Sequence, residues 1–397
     1  MISVEEGKKI ILSSTQDFGV EEIPFIKSVG RILKEEIVAD RDFPPFNRVA
    51  MDGIAIDFSS FQNGQRAFTI EGIQPAGSSQ ITLQNSANCL EVMTGAVLPN
   101  NTNVVIRYED VIIENGVATI QIDEIKNLQN IHVKGKDRTA GDVLISENKM
   151  ISAAEIGVLA TVGKSKVKVA KLPKAMIIST GDELVGVEET PKAHQIRRSN
   201  VFTLVSLLER LNIKSETAHI TDDKPLLKSK IKNYLEQYDV LLFSGAVSKG
   251  KYDFLPEVFQ ELGVEKLFHK VTQRPGKPFF YGKTFSCNIF GFPGNPISTF
   301  VNCLVYFYPW YYKSVGVDVQ KETAILKEDV TFKPNLTYFL QVKLSDKFGH
   351  TLATPVLGNG SGDLASLVNT DAFIELPSDK NEFKKGENFP IIRYRSF

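Results

Sequence analysis

Residues Val240–Phe254 read VLLFSGAVSKGKYDF. Four apolar residues run without a break into Ser244-Gly245 and a loop of small and cationic residues, and an apolar pattern resumes at Phe254. A short apolar run bounded by a glycine turn and followed by helical spacing is the strand–loop–helix unit of an α/β sheet. The unit repeats on both sides. Ala175–Ser179 is a second apolar strand, followed by Thr180-Gly181-Asp182-Glu183-Leu184. Ser199 is placed to cap a helix with Val201, Leu204, Val205, Leu208 and Leu211 on one face. Glu216–Ile220 reads as a strand, then a helix follows Asp222-Asp223 with Leu226, Ile231 and Leu235 apolar. Further helices are expected near Phe254–Leu262 and from Pro296 onward. Strands alternating with helices from Lys174 to about Val315 predict a mostly parallel sheet with helices on both faces.

The flanks read differently. Ser3 and Glu6 have capping-box spacing for a short N-terminal helix. From about Ala55 to Ile131 the chain is β-rich. Tyr108–Ile113 and Val117–Ile122 flank Glu114-Asn115-Gly116, and Asn-Gly marks a type I′ hairpin because both central residues need positive φ. The tail returns to β at Lys321–Phe332, Thr337–Leu344, Thr351–Val356 and Phe373–Leu376, enough for a small separate β-domain.

The chain has 397 residues, more than the roughly 250–300 at which a single core stops growing. A hydrophobic share of 42% excludes wholesale disorder, and a formal charge of −1 argues against a dedicated nucleic-acid binder. Cys89, Cys287 and Cys303 are too few and scattered for a disulfide framework or a zinc site and fit a reducing compartment. Acids at Glu5 and Glu6 stand where a signal peptide is basic. The longest apolar stretch, Ile297–Tyr312, contains Asn302 and Pro309 and falls short of the ~20 residues a span needs. A soluble, cytoplasmic protein without membrane partners is expected.

Ligands of an open parallel sheet gather at the carboxyl ends of its strands. Three glycine loops fall there: 180–184, 244–253 and Gly291-Phe292-Pro293-Gly294-Asn295-Pro296. Backbone N–H groups of small residues approach oxyanions closely, although each loop taken singly also reads as an ordinary turn. Lys270, Arg274 and Lys277, in a segment stiffened by Pro275, Gly276 and Pro278, suit a polyanion or a solvated basic loop. Glu183, Asp222 and Asp253 each follow a strand. Carboxylates beside phosphate loops commonly hold Mg2+, and Asp222 equally suits helix capping. No His spacing suits a metal, and no Ser/His/Asp or Cys/His nucleophile set is visible.

Eleven stretches, in order, resemble the molybdopterin molybdotransferase family, the MoeA and gephyrin E-domain group: FPPFNRVAMDGIA (43–55), MTGAVLP (93–99), KGKDRTAGD (134–142), EIGVLATVG (155–163), STGDEL (179–184), QIRRSN (195–200), TDD (221–223), SGAVSKGKYDF (244–254), RPGKP (274–278), GFPGNPIS (291–298) and GSGDLASL (360–367). The resemblance implies a multidomain α/β plus β fold. An elongated, discontinuous N-terminal region (1–54 and 132–170) carries an inserted β-rich domain (55–131). A molybdopterin-binding α/β domain resembling the molybdopterin adenylyltransferase fold (171–317) and a C-terminal β-barrel (318–397) follow.

The implied reaction inserts molybdenum from molybdate into adenylylated molybdopterin, with Mg2+-dependent release of AMP. Gly245, Ser248, Gly250, Gly294, Asn295 and Pro296 would cradle the pterin phosphate or AMP. Lys270, Arg274 and Lys277 would neutralise anions, and Asp222 and Asp253 would hold Mg2+. Asp52, Thr94, Asp137 and Glu183 match polar cleft positions. A homodimer is implied, in which Asp52 and Thr94 act on the neighbouring subunit, with transient contacts to cofactor-biosynthesis enzymes and apo-molybdoenzymes. Arg48, Ile54, His132, Ala246, Lys249 and Arg274 depart from the family's usual residues. A non-catalytic scaffold on the same fold is the alternative. The clustered acids and cations favour catalysis, because buried unpaired charge is costly.

Overall fold

The computed structural model describes residues 1–245 and 254–395. The central sheet contains, in chain order, β1 (Ala175–Thr180), β2 (Ser215–Ile220), β3 (Val240–Ser244), β4 (Glu265–His269), β5 (Phe280–Lys283) and β6 (Asn288–Phe292). Its helices are α1 (Asn200–Glu209), α2 (Lys224–Gln237), α3 (Leu255–Glu261) and α4 (Pro296–Asn302).

Successive side chains of a strand point to opposite faces, and this sets the layers. Ile177 of β1 packs with Leu204 and Leu208 of α1 and with Val301 of α4. Its neighbours Met176 and Ile178 pack with Leu227, Ile231 and Leu235 of α2 and with Val258 of α3. Both faces of β1 are therefore covered, as a parallel sheet requires.

The strand order is β2-β1-β3-β6-β5-β4. The first four strands run parallel, while β5 is antiparallel to β6 and β4 antiparallel to β5. The mostly parallel expectation holds, with an antiparallel edge that the sequence reading did not contain. Strand β4 carries exposed Glu265 and Lys266 and one fully buried residue, so it lacks the continuous apolar run of an interior strand.

Three local expectations change. Ser199 makes no side-chain cap to α1 and itself has helical backbone angles. Leu226 is 41% exposed, and the buried face of α2 begins at Leu227. The helix starting at Pro296 is interrupted by a π turn at Cys303–Phe307 before it continues as Tyr308–Ser314. Pro309 lacks an N–H and its ring crowds the carbonyl four residues back, which accounts for the irregular turn preceding it.

After the α/β layers, strands Glu322–Leu326, Thr337–Lys347, His350–Pro355, Ala372–Leu376 and Asn388–Arg393 close into a barrel. Thr337–Lys347 pairs with both His350–Pro355 and Ala372–Leu376, and Asn388–Arg393 joins Ala372–Leu376 to Glu322–Leu326. Glu322–Leu326 meets His350–Pro355 to complete the ring. The expected strand at 321–332 is two pieces, Glu322–Leu326 and Val330–Thr331.

The chain divides into two compact units. One comprises residues 1–34, 148–152 and 167–397, and the other 35–147 and 153–166. This division cuts the segment 1–54 after Lys34. In the first unit, helix Val4–Leu12 carries the complete Ser3/Glu6 capping box. Its Val4 and Ile11 join the apolar layer of α1 and α4, and Lys8 pairs with Glu375 of the barrel at 2.9 Å.

The second unit holds a six-stranded sheet in the order Val104–Arg107, Gly53–Ile56, Asn88–Val92, Ala67–Gln74, Val117–Ile120, Val111–Glu114. The hairpin turn has φ of 52° at Asn115 and 78° at Gly116, as the Asn-Gly reading requires. Tyr108–Asp110, expected as strand, is a 3-10 turn. A Cβ on Gly53 would stand 1.8 Å from the Ile106 carbonyl oxygen, so only glycine admits the neighbouring strand there. Among the described residues no helix is long and apolar enough to cross a membrane.

Candidate functional site

Register brings the glycine loops together. Ser179 of β1 is level with Ser244 of β3, and Ser244 with Phe292 of β6. The chain therefore leaves three adjacent parallel strands at one edge, through Gly181, Gly245 and Gly294. Gly245 N–H donates to the Phe292 carbonyl at 3.1 Å, and a Cβ on Gly294 would lie only 4.0 Å from Gly245 Cα. The two backbones form a side-chain-free floor. The Thr180 hydroxyl lies beside it, 3.4 Å from where a Gly245 Cβ would stand. That hydroxyl is buried and has no hydrogen-bond partner among the described residues. An orphaned donor at a glycine floor fits an oxyanion supplied by a ligand.

Two amides build this floor: Asn200, which the sequence reading gave no role of its own, and Asn295, which it placed in the phosphate cradle. Asn200, at the start of α1, donates from Nδ2 to Ser244 Oγ at 2.9 Å and to the Gly294 carbonyl at 2.8 Å. One side chain thus ties the tips of β3 and β6. Asn295 does not cap α4; its Nδ2 donates to Ser361 Oγ at 3.0 Å. The Ser361 carbonyl accepts from Ile297 N–H at 3.1 Å, so the GSGDLASL segment is fastened to the glycine turn. Pro296 opens α4, as its spacing predicts.

The acids gather on the same edge. Gly181 has φ of +127°, and the Glu183 carboxylate folds back against it, 2.5 Å from where a Cβ would stand. Asp182, absent from the sequence candidates, accepts from Asp222 N–H at 3.2 Å and links the tips of β1 and β2. The capping alternative for Asp222 is resolved, because Asp223 caps α2 by accepting from Leu226 N–H at 2.8 Å. Among the described residues no group of three or more His, Cys, Asp or Glu side chains could hold a metal by itself. Ser248, Gly250 and Asp253, with Ala246 and Lys249, lie outside the described residues.

The cations follow from the antiparallel edge. His269 of β4 pairs with Phe280 of β5, and Phe280 with Gly291 of β6, so the loop 270–279 hangs at the carboxyl edge of the parallel strands. Bonds from Lys270 N–H to the Phe279 carbonyl (2.9 Å) and from Val271 N–H to the Lys277 carbonyl (3.0 Å) close its neck. Lys277 and Arg274 are exposed, and Lys270 is half-buried. Arg274 leans on the barrel, its guanidinium 5.8 Å from the Phe332 ring centre. Beside the 180–186 loop, Glu188, Glu189, Arg197, Arg198 and Phe202 line a cavity of about 820 Å³.

The second unit holds the other candidates. Asp52 Oδ1 accepts from the Thr94 N–H at 2.6 Å and the Thr94 hydroxyl at 2.7 Å. These two donors hold the Asp52 carboxyl below the usual range. Asp137 meets His132 Nε2 at 2.9 Å, and His132 Nδ1 meets Arg48 at 3.1 Å. A guanidinium only donates, so Nδ1 accepts and Nε2 carries the proton toward Asp137. His132 and Arg48 are register partners in a two-stranded ladder, so two of the residues that depart from the family pattern contact each other.

Comparison with known proteins agrees along the whole chain. The model of the MoeA N-terminal region (domain I and II) matches residues 2–163. The model described as "Probable molybdopterin binding domain" matches 176–310, and that of the MoeA C-terminal region (domain IV) matches 323–394. A molybdopterin molybdenumtransferase of Synechocystis is 41% identical over 399 residues, covering 99% of this chain and 100% of that protein. One from Staphylococcus epidermidis is 31% identical over 401 residues, covering 98% and 95%. The crystal structure of a molybdopterin biosynthesis MoeA protein from Pyrococcus horikoshii matches 100% of both chains with a TM-score of 0.84 at 29% identity. With identity running from end to end over one shared fold, the chain belongs to the molybdopterin molybdenumtransferase family.

Proposed function

We propose that the protein inserts molybdenum from molybdate into adenylylated molybdopterin and releases AMP with the help of Mg2+. Membership of the family makes it a transferase of molybdenum cofactor biosynthesis; the nucleotide-capped substrate and the metal are the finer reading. The observation that carries it is the glycine floor at Gly245 and Gly294. An orphaned Thr180 hydroxyl lies beside it, with acids and a cationic loop on the same sheet edge.

On this reading the backbone of Gly245 and Gly294 admits a phosphate without steric conflict, and Thr180 donates to it. Lys270 and Lys277 offset charge that develops on the phosphoanhydride oxygens as the P–O bond to AMP breaks. Arg274 adds a third cation to the loop while its guanidinium rests against Phe332 of the barrel. Asp222, with Asp253, would hold Mg2+. The donors are oxygens only, and Mg2+ favours one or two carboxylates completed by substrate phosphates and water. When bound, it would polarise the phosphoanhydride and stabilise the leaving phosphate. Glu183 and Asp182 keep the rim anionic, which favours a cation between rim and substrate. Asp52, Thr94 and Asp137 are proposed as cleft residues, acting in a homodimer.

The test incubates the purified chain with adenylylated molybdopterin, molybdate and Mg2+, and measures AMP together with reconstitution of an apo-molybdoenzyme. AMP release that requires both molybdate and Mg2+ is expected. Release that persists without molybdate would mean simple hydrolysis. No release from a folded chain would favour the scaffold alternative. Light scattering at micromolar concentration is expected to give twice the chain mass, and a monomer would remove the dimer from the proposal.

A further inference from the structure

The loop carrying Arg274 and Lys277 is shaped by side chains that never meet solvent. Gln273, Asn302 and Tyr306 are 0%, 0% and 1% exposed. Gln273 Nε2 donates to the Pro275 carbonyl at 2.8 Å and to Asn302 Oδ1 at 2.7 Å. Asn302 Nδ2 donates to the Gly276 carbonyl at 3.2 Å. The Tyr306 hydroxyl donates to Gln273 Oε1. Both amides are then satisfied in a single orientation, and the two central carbonyls of the turn are each held by a buried donor.

The turn is matched to this arrangement from its own side. Gly276 has φ of +88°, and a Cβ there would stand 2.5 Å from Asn302 Oδ1. Any other residue would drive the amide away. Gln273 and Arg274 also pair with Thr337 and Tyr338 of the barrel, so the entry to the turn is fixed as well.

Asn302 ends α4, the helix whose first residue follows Gly294 and Asn295. Seven helical residues span about 9–10 Å at ~1.5 Å per residue. One rigid element therefore carries the glycine floor at one end and the hold on the cationic turn at the other. A dry amide network resists distortion because breaking one bond leaves a buried group unpaired.

We propose that Gln273 and Asn302 are positioning residues that fix where Lys277 and Arg274 stand relative to the Gly294 turn. The selected ligand then carries two anionic groups at a set spacing, one over the glycines and one at the cations. The inference deepens the function proposed above and rests on that reading of the basic loop.

The test uses the full chain and two probes, AMP and molybdate, with binding measured calorimetrically from low to high salt. Amide hydrogen exchange is followed over residues 270–279. Lys277→Ala is expected to weaken binding of at least one probe about tenfold, the loss of one ~1.4 kcal/mol contact, with exchange in the loop unchanged. Asn302→Ala is expected to match that loss, to flatten the salt dependence in the same way, and to raise exchange in 270–279. General destabilisation would not change the salt dependence. Tyr306→Phe, which removes one hydroxyl, is expected to do the same to a smaller degree and serves should Asn302→Ala not fold. Faster exchange with unchanged binding in Asn302→Ala or Tyr306→Phe, while Lys277→Ala binds weakly, would overturn the positioning role alone. Unchanged binding in both Lys277→Ala and Arg274→Ala would overturn the reading of the basic loop, and the proposal with it.

Discussion

At the Arg274–Lys277 turn the side chains that shape the backbone are buried, whereas at the Asp52–Thr94 turn both partners face solvent. The first turn is held by amides contributed across the fold, with Gln273 reaching Asn302 over 29 positions. The second is held by two short bonds from one residue, Thr94, to one carboxylate oxygen. Burial makes each bond of the first turn costly to lose. Exposure lets water replace a lost bond of the second. The two regions should respond differently to equally small changes, strongly and at a distance in one, weakly and locally in the other.

The largest effect is expected at the sheet edge. Asp222→Ala should reduce Mg2+-dependent AMP release at least about a hundredfold, within the range seen when one catalytic group is removed, while the circular dichroism spectrum is retained. A correctly folded Asp222→Ala protein with full turnover would remove that carboxylate from the chemistry. Next, Asn302→Ala should lower stability to urea by about 2 kcal/mol, the cost of stranding Gln273 and the Gly276 carbonyl without partners. A change below the error of the measurement would show that water enters and substitutes, and the contrast between dry and wet turns would fail. Asn200→Ala separates the tips of β3 and β6 and should weaken AMP binding about tenfold, a loss of ~1.4 kcal/mol. Undiminished affinity would mean that the floor holds its spacing through Gly245 N–H and Phe292 alone.

The same contrast explains what the residue pattern disclosed. Interior strands such as Ala175–Thr180 and Val240–Ser244 are buried at every position, so an unbroken apolar run announces them. Edge strand Glu265–His269 mixes exposed and buried positions and gives no such signal. Strand Asn388–Arg393 contains Pro390, which reads against a strand, yet it closes the barrel. The glycine loops, the acids and the cations were visible as residue types behind strands. Asp222 could not be told from a cap until Asp223 was seen to accept from Leu226. Asn200 and Ser361 fell within matched stretches but carried no role there, and Gln273 and Asn302 left no pattern, because an isolated amide or hydroxyl acquires its role only from contacts far along the chain. Asn295 reaches Ser361 over 66 positions, and Asn200 reaches Gly294 over 94. The resemblance to a family supplied the function class, and the fold supplied the positioning residues.

The smallest effect tests the solvent-facing turn. Thr94→Val removes the hydroxyl donor and keeps the N–H, so one of the two causes that lower the Asp52 carboxyl disappears. The Asp52 pKa should rise toward its ordinary value but not reach it, as read by carboxyl carbon shifts in a pH titration. The sign of the linked stability follows. A carboxyl depressed in the folded state adds stability above its unfolded pKa, and that contribution fades as pH falls through the folded pKa. In Thr94→Val that contribution shrinks, so stability above the unfolded pKa should fall slightly, stability below the folded pKa should be little changed, and the acid step between them should be smaller. An unmoved Asp52 titration would assign the whole depression to the backbone N–H. The threonine hydroxyl would then be free for a ligand, and this turn would be shaped by main chain alone, as the Gly245–Phe292 contact is.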